Sequence, residues 1–314
     1  MTLEDVWRAY RSDDLAAAAQ MAPTEALGRF YLAVLAFAQQ DFPGALAHAR
    51  EAVQAAPQDL VFAQAVTYLQ RVLSLGKQEV YVSGEGFAAF VRGGGNVPLY
   101  QATSAALQSV YGQYKTLDLL DVGVGDGLAL LPALTACVRS LDILEPSGAM
   151  LAKASAALKE RGVPHRAVEQ TLQDFARQPA RQWDVIQATY SLQSIPPQER
   201  TGLLRWLREH GRRLLVAEFD PPSFSDDLDA DRVDYVVQAY RRGLAEYVHD
   251  RDLVAQGFLM PVMFGYFDPT AARTNYEQPI QTWITHLRAA GFAQVEQRLL
   301  YRYWWAPAYL LDAS

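Results

Sequence analysis

Gly123, Gly125 and Gly127 stand at alternate positions directly behind an apolar, β-type run at 117–122, and a helical run at 128–135 follows them. Strand, glycine-rich turn and helix, in that order, let a backbone come close to a nucleotide-like ligand. Glycine is needed there because a Cβ would block the ligand and the turn requires unusual φ/ψ. The spacing is not the dinucleotide fingerprint G-x-G-x-x-G, since the third glycine comes one residue early, and the Lys-Ser/Thr end of a phosphate loop is missing. Asp121, two residues before Gly123, suits a cationic or hydroxyl-rich ligand and opposes a pyrophosphate. Glu145 closes a second β-type run at 141–144. A carboxylate one βα unit after a glycine turn can accept hydrogen bonds from both hydroxyls of a ribose.

Two further acids, Glu218 and Asp220, lie at the C-terminal end of a predicted strand at 213–219. Ligands in open α/β sheets bind beyond such ends, and either acid could orient a substrate amine or act as a base. The segment 274–279 concentrates hydrogen-bonding side chains, among them Asn275, Tyr276 and Glu277, and His249 and Glu277 complete the candidates for a base. The five histidines show no metal-ligand spacing, so no metal is expected.

These residues need a scaffold of alternating strands and helices. Strands are predicted at 117–122, 141–144, 165–170, 183–189 and 213–219, with amphipathic helices at 151–161, 203–210 and 280–290. Two paired strands are expected at 292–300 and 301–311, the second opening on an aromatic run of Tyr301, Tyr303, Trp304 and Trp305 that reads as sheet packing.

The pattern Asp-x-Gly-x-Gly-x-Gly at 121–127, with Glu145 and the segment 183–200, resembles the class I S-adenosylmethionine (SAM) methyltransferases. The resemblance covers about 78–311 and implies an α/β, Rossmann-like seven-stranded sheet with an antiparallel C-terminal hairpin. It implies SAM as cofactor, held by Asp121, Gly123, Gly125, Gly127 and Glu145, with Thr171, Leu172 and Thr189 also at the cofactor. Thr171 departs from the family, which often carries an acid there to meet the adenine amino group. Thr189, Tyr190 and Gln193 are implied to face the transferred methyl group. Catalysis is then expected from Tyr190, Glu218, Asp220 and Glu277. Arg92, before the glycines at 93–95, is expected to meet a carboxylate of cofactor or substrate from a lid, and Tyr81 and Tyr100 to line the same pocket.

The chain of 314 residues is half hydrophobic, with 20% charged residues and a net charge of −7. This balance argues against a general nucleic-acid binder. A single cysteine, Cys137, excludes an intrachain disulfide and fits a reducing cytoplasm. No basic, apolar leader opens the sequence, and the apolar run at 30–38 is far shorter than the roughly 20 residues that span a bilayer. Residues 1–76 read as an all-α array of helical hairpins with breaks at 11–14, 22–24, 40–43 and 56–58. Within it, 26–59 resembles one tetratricopeptide repeat, with Leu32, Ala33, Ala45, Ala52 and Pro57 in matching places.

The expected layout is a helical domain at 1–76, a linker or lid at 77–98 with an extended piece at 79–83, and a methyltransferase domain at 99–314. An insertion at 221–279 interrupts the last domain. It opens with an acidic run into a helix at 226–248, and its apolar stretch at 257–268, which includes Tyr266, reads as a substrate lid. Arg92, Tyr266, Asn275 and Tyr276 are the expected substrate contacts. The expected function is methyl transfer from SAM to a small-molecule acceptor, an amino acid or related metabolite. The alternatives are a peptide or protein methyltransferase that holds its partner with the N-terminal helices, a homodimer built through them, and a SAM-binding scaffold without catalysis.

Overall fold

The computed structural model describes residues 2–12, 15–21, 25–77 and 84–314. The extended piece and Tyr81 expected within 79–83, and parts of the helix breaks at 13–14 and 22–24, lie outside the described residues. The chain divides into two compact units: Met1–Val97 with Phe224–Ala272, and Pro98–Ser223 with Arg273–Ser314. Among the described residues no helix is long and apolar enough to cross a membrane.

The second unit is built on seven strands: β1 (Leu117–Val122), β2 (Val138–Leu144), β3 (Arg166–Val168), β4 (Trp183–Thr189), β5 (Gly211–Phe219), β6 (Val295–Arg302) and β7 (Pro307–Ala313). They are ordered β3-β2-β1-β4-β5-β7-β6. The first five are parallel, and β7 lies antiparallel between β5 and β6. This is the expected Rossmann-like sheet with its antiparallel C-terminal pair.

The central strands β1, β4 and β5 carry apolar, buried runs because both faces are covered, as parallel sheets require. Leu119, Ile143, Val185 and Leu215 pack on one face with Leu107, Tyr111, Leu151 and Ala154. Leu120, Leu144, Ile186 and Leu214 pack on the other with Leu204, Leu207, Trp283 and Leu287. The aromatic run at 303–305 forms the turn between β6 and β7 rather than the start of the last strand. The helix expected at 128–135 shrinks to one turn, Leu130–Ala133, because left-handed glycines at the alternate positions 123, 125 and 127 extend the preceding turn.

Among the described residues the first unit forms helices and no strand. Its N-terminal helices are Leu3–Arg11, Leu15–Met21, Ala26–Ala38, Phe42–Ala55, Leu60–Leu75 and Gly84–Arg92. Ala33, Ala45 and Ala52 are fully buried, and such small side chains let neighbouring helices approach. Asp41 and Asp59 cap the following helices by accepting from Gly44 N at 3.0 Å and Val61 N at 2.9 Å.

The expected insertion joins this unit. Phe264 stacks on Tyr68 at 4.9 Å and packs on Phe37 at 4.7 Å, so an inserted residue sits in the middle of the N-terminal aromatic core. Lys77 Nζ donates to Asp268 Oδ2 and to Gln40 Oε1, both at 2.7 Å, and Tyr31 Oη donates to Leu228 O at 2.6 Å. Asp229 caps the inserted helix Ala230–Ala245, and Asp226 accepts from Leu228 N in the turn before it, so the acidic run caps the helix instead of opening it.

The glycines at 93–95, expected in the linker or lid, are closely packed. A Cβ on Gly93 or Gly94 would come within 2.9 Å of the Tyr247 ring, and Gly95 N donates to Glu246 Oε2 at 2.7 Å. Because Phe264 is fully buried and bridges two parts of the chain, Phe264→Ala is expected to lower the stability of the helical unit by about 3–5 kcal/mol. Urea denaturation followed by circular dichroism checks this, and a loss below about 1 kcal/mol would remove Phe264 from the role of core bridge.

Candidate active site

The turn after β1 is shaped by what surrounds it. Gly123, Gly125 and Gly127 have φ of +70°, +57° and +87°. A Cβ on Gly123 would lie 2.4 Å from Ser191 Cβ, so glycine is demanded by the protein itself at that position. Ser191 is held there by a 2.7 Å hydrogen bond from its Oγ to Val122 O. Around Gly125 the opposite holds: a Cβ would meet nothing within 4 Å, which leaves room over the backbone for a ligand. Glu145, directly after β2, accepts from Gly125 N through Oε2 at 3.0 Å and from Ser147 N through Oε1 at 2.9 Å. The acid is thus poised against the open part of the turn. An empty backbone cradle beside a half-buried carboxylate fits a nucleoside with ribose hydroxyls to donate.

Asp121 lies beneath the turn, 1% exposed. Gln187 Nε2 donates to its Oδ2 at 2.7 Å, and Tyr111 Oη donates to Gln187 Oε1, while Asp121 Oδ1 has no hydrogen-bond partner. Burial pushes the Asp121 carboxyl up to about 7; the Glu145 charge adds to the shift and the Gln187 bond opposes it. Asp121 therefore acts from behind the backbone. Gln187 and Tyr111 are not among the expected site residues, although a glutamine inside the apolar run of β4 is a visible signal.

The remaining expected cofactor residues are also placed. Thr171 is the N-cap of the short helix Leu172–Phe175: its Oγ1 accepts from Asp174 N at 3.1 Å and donates to Asp174 Oδ2 at 3.0 Å. Leu172 is 5% exposed and belongs to the sheet core. Thr189 ends β4 half-buried. Tyr190 follows with φ +54°, a conformation costing a non-glycine residue about 1–2 kcal/mol. Its ring stacks on Phe219 at 4.9 Å and meets the Tyr100 ring edge-on at 6.0 Å, and its hydroxyl shares a 2.8 Å hydrogen bond with Thr103. Burial raises the Tyr190 hydroxyl well above the ordinary phenol range, so it stays protonated at neutral pH.

The ends of β4 and β5 carry a second polar group of residues. Glu218, 1% exposed, accepts from Gln193 N at 3.1 Å through Oε1, and its Oε2 has no partner. Burial pushes its carboxyl up to about 8; the Glu277 charge reinforces this, and the Gln193 N–H and Arg200 oppose it. Asp220 is engaged structurally, accepting from Ile280 N at 2.8 Å at the start of helix Ile280–Ala289. Glu277 accepts from Trp305 Nε1 at 2.8 Å.

Arg200, a residue the sequence does not single out, is 2% exposed and donates to Ile195 O at 2.8 Å and to Tyr276 O at 2.6 Å. Tyr276 N in turn donates to Gln193 O at 2.8 Å. Glu218, Gln193, Tyr276 and Asn275 therefore fall together within the sheet unit. Arg92, exposed at the end of its helix, and Tyr266 belong to the helical unit. Among the described residues no group of three His, Cys, Asp or Glu could hold a metal ion.

Residues 119–213 match the family model of a methyltransferase domain. The chain carries a class I SAM-dependent methyltransferase domain. The matched span of this methyltransferase runs from β1 through the glycine turn, Glu145 and β4 into β5. No curated protein matches the sequence.

Among solved structures, the methyltransferase resembles the CMeT domain of the citrinin polyketide synthase, with 14% identity, 86% of this chain and 69% of that one covered, and a TM-score of 0.51. It is also similar to the SAM-dependent methyltransferase SibL, with 16% identity, 89% and 76% covered, and a TM-score of 0.49. A third similar structure is the magnesium protoporphyrin IX methyltransferase ChlM from Synechocystis PCC 6803 with bound SAM, with 14% identity, 80% and 95% covered, and a TM-score of 0.48.

Two outcomes are expected of this methyltransferase. Glu145→Ala removes a charged acceptor worth about 1.5–3 kcal/mol, so calorimetry should show SAM binding weakened by about 10- to 100-fold; unchanged affinity would remove Glu145 from the cofactor site. Asp121 has a folded pKa raised above that of the unfolded chain, so the native state holds a proton that the unfolded state releases. Its contribution to stability is full below about 4 and is lost as the pH rises to about 7. Asp121→Asn should flatten that slope in denaturation curves taken between pH 4 and 8, and an unaltered slope would show that Asp121 titrates normally.

Proposed function

We propose that the protein transfers the SAM methyl group to a small-molecule acceptor at the C-terminal ends of β4 and β5, with Glu218 taking the proton that the acceptor gives up. When bound, SAM supplies a methyl group already activated by its sulfonium, so the protein's task is alignment, exclusion of water and proton management. Gly125 and Glu145 would hold the nucleoside. Tyr190, held by the Phe219 stack and the Thr103 hydrogen bond, forms a rigid wall directly after β4. The single observation that carries the reading is Glu218: a buried carboxyl with one oxygen fixed by Gln193 N and the other without a partner. A carboxyl with a pKa near 8 is a competent general base near neutral pH, because a base works best when its pKa lies close to the working pH.

Asp220 and Glu277 are weaker choices for the base, since each already serves a structural hydrogen bond, to Ile280 N and from Trp305 Nε1. The N-terminal helices support a small acceptor over a bound peptide: their aromatic core and the side chains of Tyr31, Asp59, Gln64 and Arg71 are engaged by residues 228–264 of the same chain.

Glu218 must be ionised to accept a proton, so turnover should rise with pH through about 8. Glu218→Gln should lower kcat by about 10²- to 10⁴-fold with the SAM dissociation constant unchanged. The measurement is release of S-adenosylhomocysteine across a panel of amine, hydroxyl and carbon acceptors. No release with any acceptor would leave a SAM-binding scaffold as the better reading, and full turnover in the variant would remove Glu218 as base.

A further inference from the structure

Among the buried polar atoms of the sheet unit without a hydrogen-bond partner are Glu218 Oε2, Gln193 Oε1, Asn275 Oδ1 and Arg200 Nη1. They are not scattered. Gln193 N donates to Glu218 Oε1 at 3.1 Å. Gln193 O accepts from Tyr276 N at 2.8 Å and from Arg200 Nη2 at 3.3 Å, and Asn275 is the residue before Tyr276. An unpaired polar atom inside a protein costs about 1–3 kcal/mol, so three in one hydrogen-bonded group, with a fourth on the residue next to Tyr276, point to a common partner.

The roles of these atoms are constrained. Gln193 Nε2 is committed to Tyr190 O at 3.3 Å, which leaves Oε1 as the outward, accepting end of the amide. Arg200 Cζ lies over the Trp283 ring, 4.4 Å from its centroid, and its other nitrogens are bound to Ile195 O, Gln193 O and Tyr276 O. Its Nη1 can only donate. The cluster therefore presents three accepting oxygens and one cationic donor.

We propose that this cluster is the acceptor subsite and that it selects a primary amine with a carbonyl or carboxylate on the neighbouring carbon. This rests on the methyltransferase reading above and names its substrate class. The match is a count of hydrogen bonds. An ammonium group brings three N–H donors for three oxygens, a hydroxyl brings one, and a carboxylate brings none. The oxygen on the neighbouring carbon accepts from Arg200 Nη1. A divalent cation suits the site poorly, because Glu218 is the only carboxylate in the cluster and the Arg200 guanidinium stands beside it. At this subsite the proton leaves the ammonium nitrogen for Glu218 Oε2, one N–H bond breaking and one O–H bond forming. The amine is left with a free electron pair.

The test uses the full chain saturated with S-adenosylhomocysteine and an isosteric series of probes: phenylalaninamide, the hydroxyl analogue 3-phenyllactamide, and 3-phenylpropanamide, with glycinamide as a smaller amine. Affinities are read by NMR titration. Phenylalaninamide or glycinamide should bind, and phenylalaninamide should bind at least about tenfold more tightly than its hydroxyl and unsubstituted analogues, the loss expected from one or two hydrogen bonds. Gln193→Leu and Asn275→Leu should each remove most of that preference without altering affinity for S-adenosylhomocysteine, which also reports that each variant is folded.

Equal binding of the three phenyl amides, absence of binding by both amines, or a preference that survives both substitutions would overturn the proposal. So would a crystal structure in which ordered waters alone satisfy the four atoms while a probe sits elsewhere. Failure of the wild-type chain to bind S-adenosylhomocysteine would instead count against the cofactor reading, so the two failures are distinguishable.

Discussion

The turn after β1, the proposed cofactor site, depends on a backbone shape that only glycine tolerates at Gly123. Ser191, fixed to Val122 O, presses against Gly123 so closely that no side chain fits. Gly125 then turns into open space with its N–H held by Glu145. One contact closes the turn from the protein side and the other opens it on the ligand side. Both rely on the parallel pairing of β1 with β2 and with β4, which brings the ends of three strands to one edge. Displacing any of these strands would move Ser191 or Glu145 away from the turn.

A second constraint is the cost of polar groups inside the sheet. Gln187 lies in the middle of β4 with no exposure, yet both ends of its amide are used, by Tyr111 and Asp121. That network is nearly satisfied and stiffens the floor of the turn, as a fully bonded buried network does. The cluster at Glu218 differs, because several of its atoms remain without partners. Ordered water or a ligand supplies the missing partner of such atoms, and buried groups with raised pKa values are common at functional sites. The strained Tyr190, between the two networks, belongs to the same pattern.

The helical unit shows why order along the chain misleads about packing. Residues 224–272 interrupt the methyltransferase in sequence, and an aromatic, apolar insertion at strand ends reads naturally as a lid. Their aromatic residue Phe264 instead fills the core of the N-terminal helices, and Lys77, Gln40 and Asp268 tie the two segments together. The insertion thus contributes Phe264 to the core of the helices before residue 76.

Local chemistry determined much of this protein from the sequence alone. The glycines at 123–127, the apolar strand runs and the acids that follow them are short-range signals, because strand periodicity and left-handed backbone are properties of a few neighbouring residues. The helical hairpins were legible for the same reason, through caps such as Asp41 and Asp59. Only the tertiary structure decided the rest. It turned Asp121 inward onto Gln187, made Thr171 a helix cap, committed Asp220 to Ile280, and brought Arg200 and Tyr276 to Gln193, whose N–H holds Glu218. These are contacts between residues far apart in the chain or choices of one rotamer among several. Their energies arise from burial and from partners that no local pattern encodes.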